Sequence, residues 1–245
     1  MSIPLTGPVT LAQLQIEFGG TDPVSLDEYY RGGAFVPNTT RNVSIPTSGA
    51  ISLEEFRGSS KTATVTYAII GGGGGGGAGR DDDGGAGYGL YATSGGNSSI
   101  SGTGVQTITA AGGQGGYSFA YIWSETSLGA GEASFYGPGG ALVPNQVVGN
   151  NAPSTSYGAG GGGGGGDGPQ TYDSSGNRGQ GGFAGTYLTG TIEVVYGTTL
   201  TIAIGGQGLG HVFQYIGGNG AAGYCVISWD GNTSTFTSSG TVTLT

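Results

Sequence analysis

The sequence predicts a mainly β protein in which strands alternate with packed, extended glycine segments, preceded by short N-terminal helices. Three observations carry this prediction. Glycine accounts for 59 of the 245 residues and comes in blocks, the longest being two runs of seven in a row, 71–77 and 160–166. Runs of Thr alternating with apolar residues border these blocks, which is typical of half-buried strands. Three helix-capping motifs set residues 1–58 apart from residues 59–245 as a separate region.

The N-terminal region repeats one motif: a β-branched residue, Thr or Ser, Leu, two variable residues and a large apolar residue. It occurs as VTLAQL, VSLDEY and ISLEEF. The hydroxyl residue would cap a helix, and the Gln or Glu three positions later would complete a capping box. A glycine stop follows each motif, so each helix has two or three turns and is marginal by itself. The helices need a partner surface, either the rest of the chain or another protein. We expect docking on another protein through a face that includes Leu26, Tyr29, Tyr30 and Phe56.

Strand patterns begin after Lys61. TATVTYAII predicts one strand, Thr191–Gly206 predicts two strands around Gly197, and Tyr224–Trp229 predicts another. The final twelve residues predict a hairpin with its turn at Ser238–Gly240.

The glycine blocks are either packed segments or flexible linkers, and packing is favoured because the blocks are numerous, begin next to strands and alternate with aromatic-rich segments. Ordering a residue costs about 1–2 kcal/mol, and glycine has no side chain to bury in return, so an isolated run would stay flexible. Extended threefold helices packed side by side avoid this problem, because backbones without Cβ atoms approach closely and bond to their neighbours. Seven residues would span about 22 Å, enough to cross a domain. We expect Gly74 and Gly163 to lie inside such an array.

Composition excludes several classes of function. The net charge is −9, and a single Lys with five Arg provides no basic stripe for nucleic acid. The glycines lack the Gly-X-Y period of collagen. The one cysteine, Cys225, excludes an intrachain disulfide and is expected to be a packed thiol. No signal-peptide pattern opens the chain and no apolar run has membrane length, so we expect synthesis in a cytoplasm.

Catalytic and metal-binding patterns are weak, and we expect no catalytic residue, metal or cofactor. A phosphate loop needs Lys after the glycines, but Lys61 precedes them. Asp81–Asp83 could offer oxygen ligands to Ca²⁺, yet consecutive carboxylates seldom converge, and a solvated turn is expected. His211 has no second histidine and is expected in a loop. The acid pairs that a glycosidase would need are expected to solvate loops: Glu125 with Glu132, and Asp167 with Asp173.

Aromatic residues give a better functional signal. Many of the 14 tyrosines lie between glycine blocks, next to Ser, Gly and Asn. Rigid aromatics in such surroundings form adaptable binding loops, although packing over the glycine array is the alternative for each. YIWSE places Tyr121 and Trp123 on one face of an extended segment. We predict a receptor-binding role for Tyr121 and Trp123, followed by Tyr136 and Tyr172.

Two stretches resemble known families. SLDEYYRGGAFVP and IPTSGAISLEEFRG resemble a segment of tail and structural proteins of tailed bacteriophages. VTYAIIGGGGGGGAG, VVYGTTLTIAIGGQG and GGNGAAGYCVISW resemble the glycine-rich domain of phage tail fibres and adhesins, which also occurs in the extracellular part of the anaplastic lymphoma kinase receptor. The resemblance implies a β-sandwich coupled to a bundle of polyglycine II helices, with host recognition on the loops between the glycine helices.

The expected protein is therefore a non-enzymatic tail fibre or tail-tip adhesin of the virion. Its N-terminal region would bind other tail or baseplate proteins, and its loops would bind a host surface protein or polysaccharide. The sequence is compatible with both a monomer and a homo-oligomer. A purely structural tail adaptor is the alternative, and a capsule depolymerase is a more distant one. FTSSGTVTL resembles the strand that usually opens such domains, yet it closes this chain. It would either fill the first-strand place or pair with another subunit.

Overall fold

The computed structural model describes residues 2–78, 91–117, 130–141, 149–161, 179–212 and 216–245. Within these residues the protein is mainly β, with one α-helix, α1 (Leu11–Phe18), and eight strands in two antiparallel sheets. The strands are β1 (Thr62–Ile70), β2 (Ser98–Gly102), β3 (Val105–Ala110), β4 (Tyr187–Val195), β5 (Thr199–Ala203), β6 (Tyr224–Trp229), β7 (Asn232–Phe236) and β8 (Gly240–Thr243).

The first sheet has the order β4-β1-β6-β7 and the second has the order β3-β2-β5-β8. One cluster of buried side chains contains residues from both sheets, including Val65, Ile69, Ile100, Ile202 and Ile227, all fully buried. Alternate residues of β1 and β6 enter this core because successive side chains of a strand point to opposite faces. The Thr-and-apolar alternation thus fixes which face of each sheet is buried.

The predicted strands β1, β4, β5 and β6 are confirmed, but the predicted C-terminal hairpin is wrong. β7 pairs with β6 in the first sheet, whereas β8 pairs with β5 in the second. The turn at 237–239 therefore carries the chain from one sheet to the other. The same is true of the turn at Gly197 (φ 84°) between β4 and β5. The final strand pairs within the chain.

The first N-terminal motif forms a helix of the predicted length, and the other two form shorter ones. α1 has the predicted capping box, in which Thr10 Oγ1 accepts from the Gln13 N–H and Gln13 Oε1 accepts from the Thr10 N–H. The other two motifs form single 3₁₀ turns of four residues each, Leu26–Tyr29 and Leu53–Phe56. In the first of these the predicted cap is absent, because the Ser25 hydroxyl donates to the Asp27 carboxylate instead.

These helices bury a shared core within the chain, which is the first of the two partner surfaces expected for them. Phe18, Tyr29 and Phe56 are fully buried, with ring centroids 6.3–6.4 Å apart. The Tyr29 hydroxyl donates to the Gly19 carbonyl oxygen at 2.7 Å. Leu14 and Ile45 complete the cluster. Tyr29 and Phe56 are therefore core residues and not part of an accessible docking face, because the short helices pack their apolar sides against one another.

The N-terminal core is joined to β1 by buried hydrogen bonds. Asn42 accepts from the Ser60 N–H at 3.0 Å and donates to the Ser60 carbonyl oxygen at 3.1 Å. Glu17 Oε1 accepts from the Lys61 N–H at 2.7 Å and from the Ser60 hydroxyl at 2.9 Å. These bonds fix the point at which the chain enters the first sheet.

Beyond β1, residues 71–78 form a buried, extended segment that belongs to neither sheet; we call it the central segment. Its N–H groups bond with a period of three residues to three different neighbours, as every third residue faces the same way. Gly71, Gly74 and Gly77 donate to residues 186, 183 and 180; Gly72 and Gly75 to residues 96 and 93; and Gly73 and Gly76 to residues 221 and 218.

The carbonyl groups of the central segment accept hydrogen bonds from three further neighbours, again with a period of three residues. Residues 113 and 116 donate to Gly72 and Gly75, residues 208 and 211 to Gly73 and Gly76, and residue 161 to Gly74. The six neighbours also bond to one another around the ring. A Cβ at any position from Gly71 to Gly75 would lie 1.9–2.2 Å from a neighbouring backbone atom, so only glycine fits. The predicted interior residue Gly74 lies here, whereas Gly163 lies outside the described residues.

Candidate binding surfaces

The array of glycine segments has two distinct ends. The sheets lie at one end, next to Gly71. At the other, distal end, the Gly77 N–H donates to the Gln180 carbonyl oxygen and the Gln180 N–H donates to that of Tyr117. Most residues that border the internal gaps in the described chain lie at or near this distal level: 78 and 91, 117 and 130, 141 and 149, 179, and 212 and 216. Gly161 lies further from this end, because its N–H donates to Gly74 in the middle of the central segment.

Of the predicted receptor-binding residues, Tyr136 is described, whereas Tyr121, Trp123 and Tyr172 lie outside the described residues. Tyr136 packs inside an aromatic cluster beside the first sheet, with its ring edge-on to Tyr157, Tyr187 and Tyr224 at 5.0–5.9 Å between centroids. Two stacked pairs surround it: Phe135 on Tyr187 at 4.2 Å, and Tyr157 on Tyr224 at 4.4 Å.

This cluster covers the outer face of the first sheet at its glycine-array end. Tyr187 and Tyr224 lie directly opposite Ile70 on either side of β1 and share its face, which is opposite to the core face of Ile69. Burial raises the pKa of Tyr136 to about 12, with further contributions from Tyr187 and Tyr224. Tyr136 therefore anchors its loop to the sheet, which fits the packing alternative for this residue.

A second surface emerges on one side of the array. Hydrogen bonds place the segments 206–212, 91–97, 111–117 and 180–186 side by side in that order; we call this surface the outer flank. Gly206 is exposed, and the other glycines of the flank are buried or half-buried. Besides Thr93 and Gln207, the exposed side chains lie at every third position: Tyr91, Ser94 and Asn97; Ala111, Gln114 and Tyr117; Phe183 and Thr186; and Leu209 and Val212.

The outer flank combines aromatic and uncharged polar side chains. Tyr91 and Tyr117 are 52% and 42% exposed and contact each other, with ring centroids 3.8 Å apart. Phe183 is 41% exposed and lies next to Gln114, three residues along the segments from the Tyr91–Tyr117 pair. The aromatic-loop pattern did not predict this flank. The available signal was the spacing of three between Ala111, Gln114 and Tyr117, which alternate with pairs of glycines.

The N-terminal region offers a smaller accessible surface than predicted. Leu26 and Tyr30 are half-buried and reach the surface, unlike Tyr29 and Phe56. A groove of about 390 Å³ also lies where this region meets the sheets; its lining includes Phe35, Lys61 and Leu244.

The reactive residue types occupy structural positions where they are described. Cys225 is fully buried, and burial raises the pKa of its thiol to about 12, which confirms a packed, unreactive thiol. Glu132 accepts from the Ala184 N–H at 2.9 Å, and His211 is half-buried at the distal end of the array. Asp81–Asp83 lie outside the described residues, as do Glu125, Asp167 and Asp173.

The described part of the chain contains neither a cluster of metal ligands nor a membrane-spanning helix. There, no group of three or more His, Cys, Asp or Glu residues is placed to hold a metal ion. Nor does any helix in those ranges have the length and apolar character to span a membrane.

Comparison with models of known protein families found no match, and comparisons with curated proteins and with solved structures found none either.

Proposed function

We propose that this protein is a non-enzymatic bacteriophage tail fibre or tail-tip adhesin, located on the virion tail, that binds the host cell surface from the distal end of its glycine array. The sequence resemblance in both regions supports the proposal. The observation that carries it is that most of the described residues bordering the aromatic-rich internal segments lie together at or near one end, remote from the sheets.

In this proposal the two sheets form a β-sandwich, and the glycine segments form a bundle of polyglycine II helices extending from it. The shared core supports the first assignment. The threefold hydrogen-bond period and the close backbone approach support the second, since both are expected of polyglycine II packing. A bundle of this kind presents loop residues on a scaffold already ordered by its own backbone bonds, which reduces the entropy lost on binding.

Tyr121, Trp123 and Tyr172 belong to sequence segments 118–129 and 162–178. The described borders 117, 130 and 179 of these segments lie at or near the distal end. Their proposed role is to contact a host surface protein or polysaccharide. The test replaces residues 119–128 with a Gly/Ser linker of equal length and measures virion assembly and host adsorption separately.

The matched control places the same linker at the β2–β3 turn, residues 103–104, where Gly104 has open space. We expect the distal replacement to assemble into virions that no longer adsorb, and the control to adsorb normally. Normal adsorption by both would favour the structural-adaptor alternative. Release of reducing sugars from host polysaccharide by the purified protein would favour the depolymerase.

The N-terminal region is proposed to attach the protein to other tail or baseplate proteins. Its accessible face now rests on Leu26 and Tyr30, because Tyr29 and Phe56 are buried. Leu26→Asp together with Tyr30→Ala should reduce incorporation into virions far more than it lowers the melting temperature of the purified protein, because Leu26 only borders the N-terminal core and Tyr30 loses one exposed hydrogen bond to Gly49. Normal incorporation would move the attachment surface elsewhere on the chain.

A further inference from the structure

We propose that the outer flank is a second binding surface, separate from the distal end, and that its ligand is a linear, uncharged glycan. The proposal rests on the proposed function in one respect, namely that a host surface is where this protein would meet such a polymer. The site itself consists only of described residues of the four flank segments.

The flank is a regular grid. Thr93 bonds to Leu209 through backbone groups, Gly95 to Gly113, and Phe183 to Gln114, so neighbouring segments are held in fixed register. Exposed side chains recur every third residue, which corresponds to about 9 Å along each segment. The grid thus places Phe183 beside Gln114 in one row and the Tyr91–Tyr117 pair in the next row toward the distal end.

The side chains of this grid suit a sugar polymer. Exposed aromatic rings offer apolar faces for the C–H face of a pyranose, and Gln, Asn, Ser and Thr offer donors and acceptors for hydroxyl groups. Rows about 9 Å apart allow one extended chain to contact Phe183 and the Tyr91–Tyr117 pair together. The backbone beneath them is already ordered, so binding needs little further ordering of the protein.

The charge of the protein favours an uncharged polysaccharide over an anionic one. The whole chain carries a net charge of −9, and no exposed position of the outer flank grid carries a charged side chain. An anionic polysaccharide would meet repulsion that no cation among the described flank residues offsets, whereas an uncharged glycan avoids that cost. A protein partner is less suited, because the polar Ser94 and Gln114 lie between Leu209 and Phe183, so that the flank forms no continuous apolar core.

The test uses the full-length protein on an array of uncharged hexasaccharides of glucose, galactose, mannose and N-acetylglucosamine, with hexagalacturonate as the anionic comparison. Phe183→Ala and Gln114→Ala alter the flank. Phe135→Ala is the matched control, because Phe135 is 69% exposed and lies on Tyr187, outside the flank. We expect binding to at least one uncharged glycan, weakened about tenfold or more by Phe183→Ala and unchanged in the control.

Melting temperatures of all variants should match the wild type, since the altered side chains are exposed. Binding to none of the uncharged glycans, preference for hexagalacturonate, or equal binding by Phe183→Ala and wild type would each overturn the proposal. Trp123→Ala separates this site from the distal one: it should reduce host adsorption and leave hexasaccharide binding intact. Loss of adsorption in Trp123→Ala without any glycan binding would sustain the proposed function and reject the flank site.

Discussion

Replacing Gly74 by Ala should destabilise the protein severely, although the change adds one methyl group. The new Cβ would lie 1.9 Å from the Gln114 carbonyl oxygen, whereas ordinary contact begins at 3.4 Å, so the backbones must separate by about 1.5 Å. Segment 113–116 is held by bonds from Gly113 to Gly72 and from Gly116 to Gly75, each 2.8 Å, and by Phe183 donating to Gln114 at 2.9 Å.

Those bonds cannot survive a displacement of that size. Each buried group left without a partner costs about 1–3 kcal/mol, so the three together amount to about 3–9 kcal/mol. The free energy of unfolding of a typical domain is about 5–15 kcal/mol. We therefore expect Gly74→Ala either to unfold or to lose most of its stability.

The assay is urea unfolding followed by circular dichroism, with Gly206→Ala as the matched control. Gly206 lies in the same array, but a Cβ there meets nothing within 4 Å. The control should keep its unfolding free energy within about 0.5 kcal/mol of wild type. Equal unfolding midpoints for Gly74→Ala and Gly206→Ala would refute the close packing of the central segment and restore the flexible-linker interpretation.

Three further predictions follow from burial and position. Folding raises the pKa of the Cys225 thiol from 9.0 to about 12 and that of Tyr136 from 10.0 to about 12. The folded state therefore holds these protons where the unfolded state releases them, and stability should fall as the pH rises from 9 to 12. Cys225→Ala and Tyr136→Phe should each flatten the unfolding free energy across that range, and unchanged slopes would contradict the assigned burial. Phe56→Ala should cost about 3–5 kcal/mol in chemical unfolding, because it empties the N-terminal core. The half-buried Leu26→Ala should cost much less, and equal losses would argue against that core. Trp123→Ala should reduce host adsorption at unchanged melting temperature; a lower melting temperature, or normal adsorption, would reject its receptor role.

Strand positions were predictable from sequence because they depend on local alternation. TATVTYAII alternates Thr with apolar residues, and its apolar side chains at Ala63, Val65 and Ile69 enter the core. Strand partners were not predictable in the same way. β7 and β8 are separated by a turn typical of a hairpin, yet the turn at 237–239 crosses between sheets. Pairing is decided by which sheet edge is available, and that information is not local.

The N-terminal helices show a related limit. Capping signals correctly located the start of α1 and of the Leu53–Phe56 turn, because a cap involves only neighbouring residues. Their number of turns and their burial depend on tertiary packing. Tyr29 and Phe56 looked like docking residues because each short helix was considered alone. Together the helices bury both rings against Phe18.

The outer flank follows from the same constraint that makes the array possible. A segment surrounded on all sides must be glycine at nearly every position, as residues 71–77 are. A segment at the edge of the array has one free direction, and the threefold period returns to that direction every third residue. Most side chains therefore occupy those positions or the ends of the segments; Ala92, Thr93, Ala184 and Gln207 are exceptions. In segment 111–117, Ala111, Gln114 and Tyr117 occupy the free positions, while the glycines between them are packed inward. The few non-glycine residues of the array thus determine what its surface can bind, while the glycines determine where those residues stand.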